Sequence, residues 1–484
     1  MKGLTEMTLS QMREAMVCGD VSSRELTESW LQALEAKEKD IGAFITLCPE
    51  RALREADAID EARARGEELS PLAGIPMAVK DNICVKGLPT TCASKMLENF
   101  VPPYNATAYE KLHQCPLLGK TNMDEFAMGS TTENSAFHVT RNPRNTACVP
   151  GGSSGGSAAC VAAGEAPFAL GSDTGGSIRQ PAAFCGVVGM KPTYGSVSRY
   201  GLVAFASSLD QIGPMTRTVR DNALVLDALA GYDRLDSTSV KRGYTPMGRQ
   251  LDEGVQGLKI ALPKEFFGKG LSAEVKKQVL HAAKLLEKEG AILTEVSIPS
   301  LDYALPAYYV ISSAEASSNL ARFDGVRYGR RAAEYADLEE LYVKSRSEGF
   351  GAEVKRRILL GTYTLSAGYF DAYYKKALQV RTLVIRDMER VMQQCDAILG
   401  PVAPTTAYKL GEKTASPLEM YLGDIYTVPV NIAGIPALSL PCGTDSRGLP
   451  VGVQLMGPTF SEPMLYRIGA ALEKAVSCTE KEAE

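Results

Sequence analysis

The chain has 484 residues, a length that fits about three domains or one large α/β domain. Hydrophobic residues make up 45% and charged residues 23%, as in ordinary globular proteins, so extensive disorder is not expected. The formal net charge of −5 excludes a polycation that binds nucleic acid through its overall charge, and leaves that task to a local patch or a partner.

The N-terminal segment is predicted to be helical. Ser22 and Glu25 occupy the two ends of a capping box, and an amphipathic pattern continues to about Ala36. A second charged helix is predicted over residues 50–65 and ends at Gly66. We therefore divide the chain into a helical segment, residues 1–70, which packs on a core formed by residues 71–484.

Strands and helices alternate along the core. Strands are predicted at residues 75–79, 258–262, 292–296, 397–399, 437–440 and 451–455, and helices at residues 272–290, 306–323, 353–394 and 463–475. This alternation is typical of an α/β fold with a largely buried sheet.

Residues 150–192 are rich in glycine and serine. They hold ten of the 44 glycines, which alternate with apolar segments that a flexible linker would lack. We therefore interpret the region as a place where backbone N–H groups approach a ligand closely.

The cysteines and histidines limit the kinds of metal and catalytic site that the chain can form. None of the eleven cysteines lies three residues from another, so the CxxC pairs of zinc ribbons and thioredoxins are missing. A scattered, odd number fits reduced thiols, and with no signal-type N-terminus or run of about 18 apolar residues we expect a soluble cytoplasmic protein. Any histidine-based site must be built from His113, His138 and His281.

Two short patterns resemble known sites. Residues 119–121 resemble the end of a P-loop, but the earlier glycine is replaced by Gln114, which argues against nucleotide binding in this chain. Residues 152–156 match G-x-S-x-G, which would make Ser154 the nucleophile of an α/β-hydrolase. That alternative needs a downstream histidine, and the one candidate, His281, lies in a charged helical run.

A second glycine-rich turn offers another nucleophile. The N–H groups from Thr174 through Gly175 and Gly176 to Ser177 are suited to stabilise an oxyanion, with the Ser177 hydroxyl at the mouth of the turn. Serine needs a base, and where histidine is scarce a buried lysine with a lowered pKa can serve. Lys80 follows an apolar strand, although the pattern alone favours a solvated lysine at the end of a strand.

Four stretches together resemble the amidase signature family: residues 74–81, 151–157, 171–179 and 184–193. The resemblance implies one large domain with a central mixed β-sheet covered by helices on both faces. It also implies a Ser–Ser–Lys triad, in which Ser177 is the acylated nucleophile, Ser153 the bridging serine and Lys80 the base. A cis peptide bond before Ser153 is expected, and Ser154 becomes a neighbour of the relay.

Within that family, further stretches are similar to the glutaminase subunits of tRNA-dependent amidotransferases: residues 122–130, 132–135, 313–325, 353–357 and 421–427. The resemblance implies hydrolysis of glutamine and delivery of ammonia to a kinase/transamidase subunit, which converts Glu-tRNA(Gln) to Gln-tRNA(Gln). A small third subunit would complete a heterotrimer. We expect no cofactor or metal in this chain, ATP and Mg²⁺ in the partner, tRNA contacts mainly through the partner, and no membrane contact.

Glutamine carries an α-carboxylate and an α-ammonium, so its pocket needs a cation and an anion. The resemblance places Arg357 on the carboxylate, Asp424 near the ammonium and Tyr308 in the lining, with the neighbouring Arg356 as the alternative to Arg357. Two other functions stay open from the sequence: a stand-alone amidase acting on small or aromatic amides, and a non-catalytic scaffold.

Overall fold

A single sheet of eleven strands runs through the chain. The computed structural model describes residues 3–413 and 417–483. The strands are β1 Phe44–Leu47, β2 Met77–Lys80, β3 Leu117–Thr121, β4 Phe168–Asp173, β5 Val188–Lys191, β6 Gln211–Thr216, β7 Lys259–Pro263, β8 Ile292–Val296, β9 Ala397–Pro401, β10 Ala437–Thr444 and β11 Pro450–Met456. Their order across the sheet is β1-β3-β2-β4-β6-β5-β10-β11-β9-β7-β8.

Helices fill the connections between these strands. They are α1 Leu9–Cys18, α2 Ser23–Ile41, α3 Pro49–Ala64, α4 Thr107–Glu110, α5 Gly155–Ala163, α6 Arg179–Cys185, α7 Val219–Leu229, α8 Ala273–Lys288, α9 Ala304–Leu320, α10 Leu338–Gly349, α11 Ala352–Leu365, α12 Lys375–Met392, α13 Pro417–Leu422, α14 Val428–Ala433 and α15 Glu462–Ala483. Short 3-10 turns lie at Leu4–Glu6, Lys95–Leu97, Glu125–Ala127, Met247–Gln250, Lys264–Phe267 and Pro299–Tyr303, and a π-helical turn at Phe370–Tyr374.

The sheet is mixed, as expected. Strand β2 runs parallel to both of its neighbours, β3 and β4, and β7 runs parallel to β8 and β9, whereas the other pairs are antiparallel. All residues of β2 and β4 are buried, which is typical of parallel strands covered on both faces. The carboxyl ends of these two strands lie side by side, and such edges are where α/β sheets bind ligands.

Both faces of the sheet are packed. In β9, Ala397 and Leu399 belong to a buried apolar cluster shared with α8 and α15, whereas Ile398 belongs to a second cluster shared with α9 and α12. Alternate residues of a strand point to opposite faces, so helices cover the sheet on both sides.

The N-terminal segment is not wholly helical. The predicted capping box is present: the Glu25 N–H donates to Ser22 Oγ at 3.1 Å, and the Ser22 N–H donates to Glu25 Oε2 at 2.8 Å. After α2, however, strand β1 pairs antiparallel with β3 and forms one edge of the sheet. The segment therefore contributes a strand as well as helices to the core architecture.

The helix predicted over residues 353–394 is two helices. The first, α11, ends at Leu365 because Ser366 is extended (ψ 159°), and Gly368 then adopts a φ of +86°, in the left-handed region. The second, α12, begins at Lys375 after the π-helical turn. Among the residues that the structure describes, no helix is long and apolar enough to cross a membrane.

Candidate active site

Lys80 lies at the carboxyl end of β2 and is fully buried. Its Nζ is 2.7 Å from Ser153 Oγ, 2.8 Å from Ser154 Oγ and 3.0 Å from Ser172 Oγ. The carbonyl oxygen of Ser172 is a fourth neighbour, at 3.3 Å. The amine is therefore surrounded by hydroxyl and carbonyl groups.

Burial decides the protonation of this amine. It lowers the pKa of Lys80 to about 7, against the opposing effect of Asp124, Asp173 and Asp210. A lysine in water is almost wholly protonated at neutral pH, whereas an amine with this pKa is neutral in a large fraction of molecules. Lys80 can thus accept a proton.

The three hydroxyls around Lys80 are not equivalent. The Ser154 hydroxyl donates to the carbonyl oxygen of Ser172 at 3.1 Å, so it meets Lys80 with a lone pair. Ser172 Oγ accepts from the Asn82 amide at 2.9 Å. The two N–H groups of a neutral amine can therefore donate to Ser154 and Ser172, which leaves its lone pair for the Ser153 hydroxyl.

Ser153 and Ser154 lie at the end of the loop that precedes α5. The peptide bond between Gly152 and Ser153 is cis, as the family resemblance implies. A Cβ at Gly152 would collide with the Asp124 carboxylate, so glycine permits close approach of two protein loops here. Gly152 thus allows the Ser153 loop to lie directly against the segment that carries Asp124.

Ser177 lies in the turn between β4 and α6. Its carbonyl oxygen accepts the N–H of Ser154 at 3.2 Å, which ties the two serine loops together. The side chains of Lys80, Ser153 and Ser154 are inaccessible, whereas Ser177 is 7% exposed. Ser177 is therefore the least buried member of this group.

A buried ion pair shapes the Ser177 turn. Asp173 Oδ2 accepts from Arg179 Nε at 3.0 Å, and both side chains are fully buried. Arg179 also donates to Gln454, Asn431 and the carbonyl oxygen of Thr427. Burial alone would raise the pKa of Asp173, but Arg179 holds it at about 2.

The Asp173 carboxylate also binds one of the predicted oxyanion donors. The Gly176 N–H donates to Asp173 Oδ1 at 2.8 Å. The N–H groups of Thr174, Gly175 and Ser177 donate to no other group in the part of the chain that the structure describes. The assignment of Thr174, Gly175 and Gly176 stays a prediction, with Gly176 already engaged by Asp173.

Arg357 lies on α11 and is buried, whereas Arg356 is half exposed, which favours Arg357 as the pocket cation. Its Nε donates to Glu353 Oε1 at 2.7 Å, and Glu353 Oε1 also accepts the Tyr421 hydroxyl at 2.7 Å. The nearby phenolic oxygens and Glu353 raise the pKa of Arg357 despite burial, so it is a permanent cation.

Asp424 follows α13 and is buried. It accepts the Ser130 hydroxyl at 2.9 Å and the Tyr309 hydroxyl at 2.7 Å, while burial raises its pKa to about 6. The third predicted lining residue, Tyr308, is buried with its hydroxyl against Gly175, where a Cβ would collide with it. Tyr308 therefore connects the lining to the Ser177 turn.

The α/β-hydrolase and P-loop alternatives are not supported by the structure. His281 is exposed on α8, and Ser154 contacts Lys80 instead. Lys120 is inside β3, fully buried and 3.2 Å from Asp81, so it does not face a phosphate site.

The family model for amidases matches residues 25–466. The chain belongs to the amidase family. The fold and family that the sequence predicts are therefore confirmed.

Relatives of this amidase are similar over almost their whole lengths. The A subunit of a glutamyl-tRNA(Gln) amidotransferase from Caldanaerobacter subterraneus subsp. tengcongensis is 58% identical, over 98% of this chain and 97% of that protein. The crystal structure of the corresponding glutamyl-tRNA(Gln) amidotransferase chain from Thermotoga maritima has a TM-score of 0.81 and 43% identity, covering 98% of this chain and 96% of that one. A bacterial aryl acylamidase of the amidase signature family has a TM-score of 0.86 but 25% identity, covering 98% and 97%.

Sequence reasoning missed several residues that complete this site. Ser172 contacts Lys80, Ser130 and Tyr309 bind Asp424, and Glu353 binds Arg357. The spacing of Glu353 and Arg357, one helical turn apart, is the one signal that predicts such a contact. Ser130 and Asp424 are 294 residues apart, and no local pattern relates them.

We expect the two serines beside Lys80 to differ in their effect on amide hydrolysis by this amidase. Ser153→Ala removes the hydroxyl that carries the proton and should lower kcat by about 10²- to 10⁴-fold. Ser154→Ala removes hydrogen bonds to Lys80 and to the backbone of Ser172 but no group that carries the proton, so kcat should fall by no more than about tenfold. Steady-state hydrolysis of glutamine measures both, and equal losses in the two variants would contradict the assignment.

The pH dependence of kcat/KM should report the pKa of Lys80. Below pH 7 the amine is protonated and cannot accept a proton, so kcat/KM should fall by about tenfold between pH 7 and pH 6 and level off just above pH 7. Below pH 6 the fall should be steeper, because Asp424 is protonated as well. Initial rates from about pH 5 to about pH 10 measure this profile. An inflection near the ordinary lysine pKa would show that burial does not lower the pKa of Lys80, and a profile without an inflection near pH 7 would contradict Lys80 as the base.

Asp173→Asn should destabilise the protein strongly, because it leaves Arg179 buried without a counter-charge. We expect the free energy of unfolding to fall by about 3–5 kcal/mol in chemical denaturation. The control is Asp371→Asn, which breaks the exposed Lys375 pair and should leave stability unchanged. Equal stability of the two variants would contradict a structural role for the buried pair.

Proposed function

We propose that the protein is the glutaminase subunit of a tRNA-dependent amidotransferase. The observation that carries the proposal is that Tyr309 contacts two buried groups of opposite charge, Arg357 and Asp424, while the adjacent Tyr308 lies against Gly175 in the Ser177 turn. Glutamine is an amide whose α-carboxylate and α-ammonium match these charges. The 58% identity to the A subunit of a glutamyl-tRNA(Gln) amidotransferase supports the same conclusion.

The proposed reaction is acyl transfer. Ser177 Oγ attacks the side-chain amide carbon while its proton passes to Ser153, whose own proton passes to neutral Lys80. N–H groups of the turn at residues 174–177 stabilise the oxyanion. Protonated Lys80 then returns a proton through Ser153 to the departing ammonia, and water hydrolyses the glutamyl ester to free Ser177.

We propose that the ammonia released from glutamine is used by a partner subunit. The kinase/transamidase subunit would activate the glutamyl group of Glu-tRNA(Gln) with ATP and Mg²⁺ and bind most of the tRNA, and the small third subunit would complete the heterotrimer. The buried position of Lys120 supports a separate nucleotide site, because the P-loop-like stretch of this chain is a core strand. A reaction on aminoacyl-tRNA places the assembly in the cytoplasm.

A stand-alone amidase acting on small or aromatic amides is the second candidate. The likeness to an aryl acylamidase supports it, since the two chains share the fold over almost their whole lengths. Such substrates carry no charged groups to bind Asp424 or the Nη edge of Arg357, and leaving the buried Asp424 carboxylate without a counter-charge is costly. The glutaminase is therefore the better fit.

Ser177→Ala should separate the two activities of the assembly. With glutamine as nitrogen donor, the complex purified with its partners should form no Gln-tRNA(Gln), because the nucleophile is missing. With added ammonium chloride, formation of Gln-tRNA(Gln) should continue near the wild-type rate. Glutaminase activity in this variant would refute the nucleophile, and loss of the ammonia-dependent reaction in an intact complex would refute the separate sites.

A further inference from the structure

Glu353 occupies one edge of the Arg357 guanidinium. Both residues lie on α11, one turn apart, and both side chains are buried, with exposed fractions of 5% and 4%. Glu353 Oε1 accepts Arg357 Nε–H, while Glu353 Oε2 contacts the half-exposed Arg356. Both carboxylate oxygens are thus occupied before any ligand binds.

Two tyrosines fix the same guanidinium. The rings of Tyr309 and Tyr421 are stacked with centroids 4.3 Å apart, and Arg357 Cζ lies 4.5 and 4.6 Å from them. The Tyr421 hydroxyl donates to Glu353 Oε1, and the Tyr309 hydroxyl donates to Asp424 Oδ2. The cationic and the anionic side of the pocket are therefore joined through one pair of stacked rings.

The remaining edge of the guanidinium has a free donor. Arg357 Nη1 is buried and has no acceptor in the described part of the chain. Guanidinium binds a carboxylate bidentately through two N–H groups, and once Nε is engaged the edge formed by the two Nη atoms is the one left for a ligand.

We propose that Glu353 is a positioning residue for substrate recognition, which holds the Nε edge of Arg357 so that the Nη edge faces the α-carboxylate of the substrate. The inference rests on the proposed glutaminase function and adds a residue to it. Glu353 acts through the position of its oxygen atoms and not through its charge. Arg357 is a cation without help from Glu353, and a negative charge beside it would compete with the substrate carboxylate for the guanidinium. Hydrogen-bond acceptance at the site of Oε1 is the property that matters.

Two conservative variants separate position from charge. Glu353→Gln keeps an oxygen that can accept from Arg357 and Tyr421 but loses the charge, whereas Glu353→Asp keeps the charge on a side chain one CH₂ shorter. In the complex purified with its partners, we expect Glu353→Asp to raise KM for glutamine by about tenfold or more with kcat within about threefold. Glu353→Gln should keep KM within about threefold of the wild-type value.

A neutral substrate and a matched control complete the test. Butanamide is glutamine without its two charged groups, so it does not bind the Nη edge of Arg357. The ratio of kcat/KM for glutamine to kcat/KM for butanamide therefore isolates recognition at Arg357, and measurable hydrolysis of butanamide shows that a variant is folded. Glu340→Ala, on the neighbouring helix α10, breaks an exposed pair with Lys344 and should change neither KM nor kcat.

Each outcome has a distinct meaning. A rise of KM in Glu353→Gln as large as or larger than that in Glu353→Asp would show that the charge of Glu353 is needed, and would overturn the inference. An unchanged KM in Glu353→Asp would show that Glu353 does not position Arg357. A fall in kcat with KM unchanged would also overturn the inference. If the wild-type complex does not prefer glutamine to butanamide, the proposed function itself fails, and this inference with it.

Discussion

The withdrawal of the Lys80 amine from water is the constraint on which the chemistry of this fold depends. Burial alone does not explain it, because Lys120 and Lys191 are equally buried. Lys120 is paired with Asp81, and Lys191, whose pKa burial also lowers to about 7, donates to the carbonyl oxygen of Pro192. Lys80 differs in its contacts, since three serine hydroxyls surround it. An amine with a lowered pKa can act as a base only where a group that gives up a proton lies within hydrogen-bond distance of it.

The substrate pocket shows a related imbalance of charge. Asp173, which orders the nucleophile turn, is matched by Arg179 within the protein. Asp424 instead accepts only neutral hydroxyls from Ser130 and Tyr309, and Arg357 keeps one buried donor without an acceptor among the described residues. The protein therefore completes its own ion pair at the Ser177 turn. It leaves the Asp424 carboxylate and one donor of Arg357 unpaired among the described residues, as the proposed binding of a zwitterion requires.

The sequence predicted six of the eleven strands, β2 and β7 to β11. Buried strands such as β9 and β11 were predictable because apolar runs mark them locally, but β1 has a mixed burial pattern and lies at an edge, and the break near Gly368 interrupts an otherwise helical pattern. Lys80 read alone was ambiguous, because its burial depends on β3 and β4 on either side. Family resemblance supplied the triad, while the contacts of Ser172, Ser130 and Tyr309 are long-range and follow only from the fold.

The relay and the pocket meet at Gly175. Its carbonyl oxygen accepts the Thr427 hydroxyl at 2.6 Å, Thr427 precedes α14 and lies three residues after Asp424, and the Tyr308 ring occupies the space a Cβ would need. A side chain at residue 175 would therefore push the lining away from the nucleophile turn. Because the turn also holds Ser177, this contact couples the position of the attacking oxygen to that of the charged groups. The contacts of the Thr427 hydroxyl and the Tyr308 ring with the Gly175 backbone thus set the distance between the Ser177 turn and the charged groups, a distance that a substrate has to match.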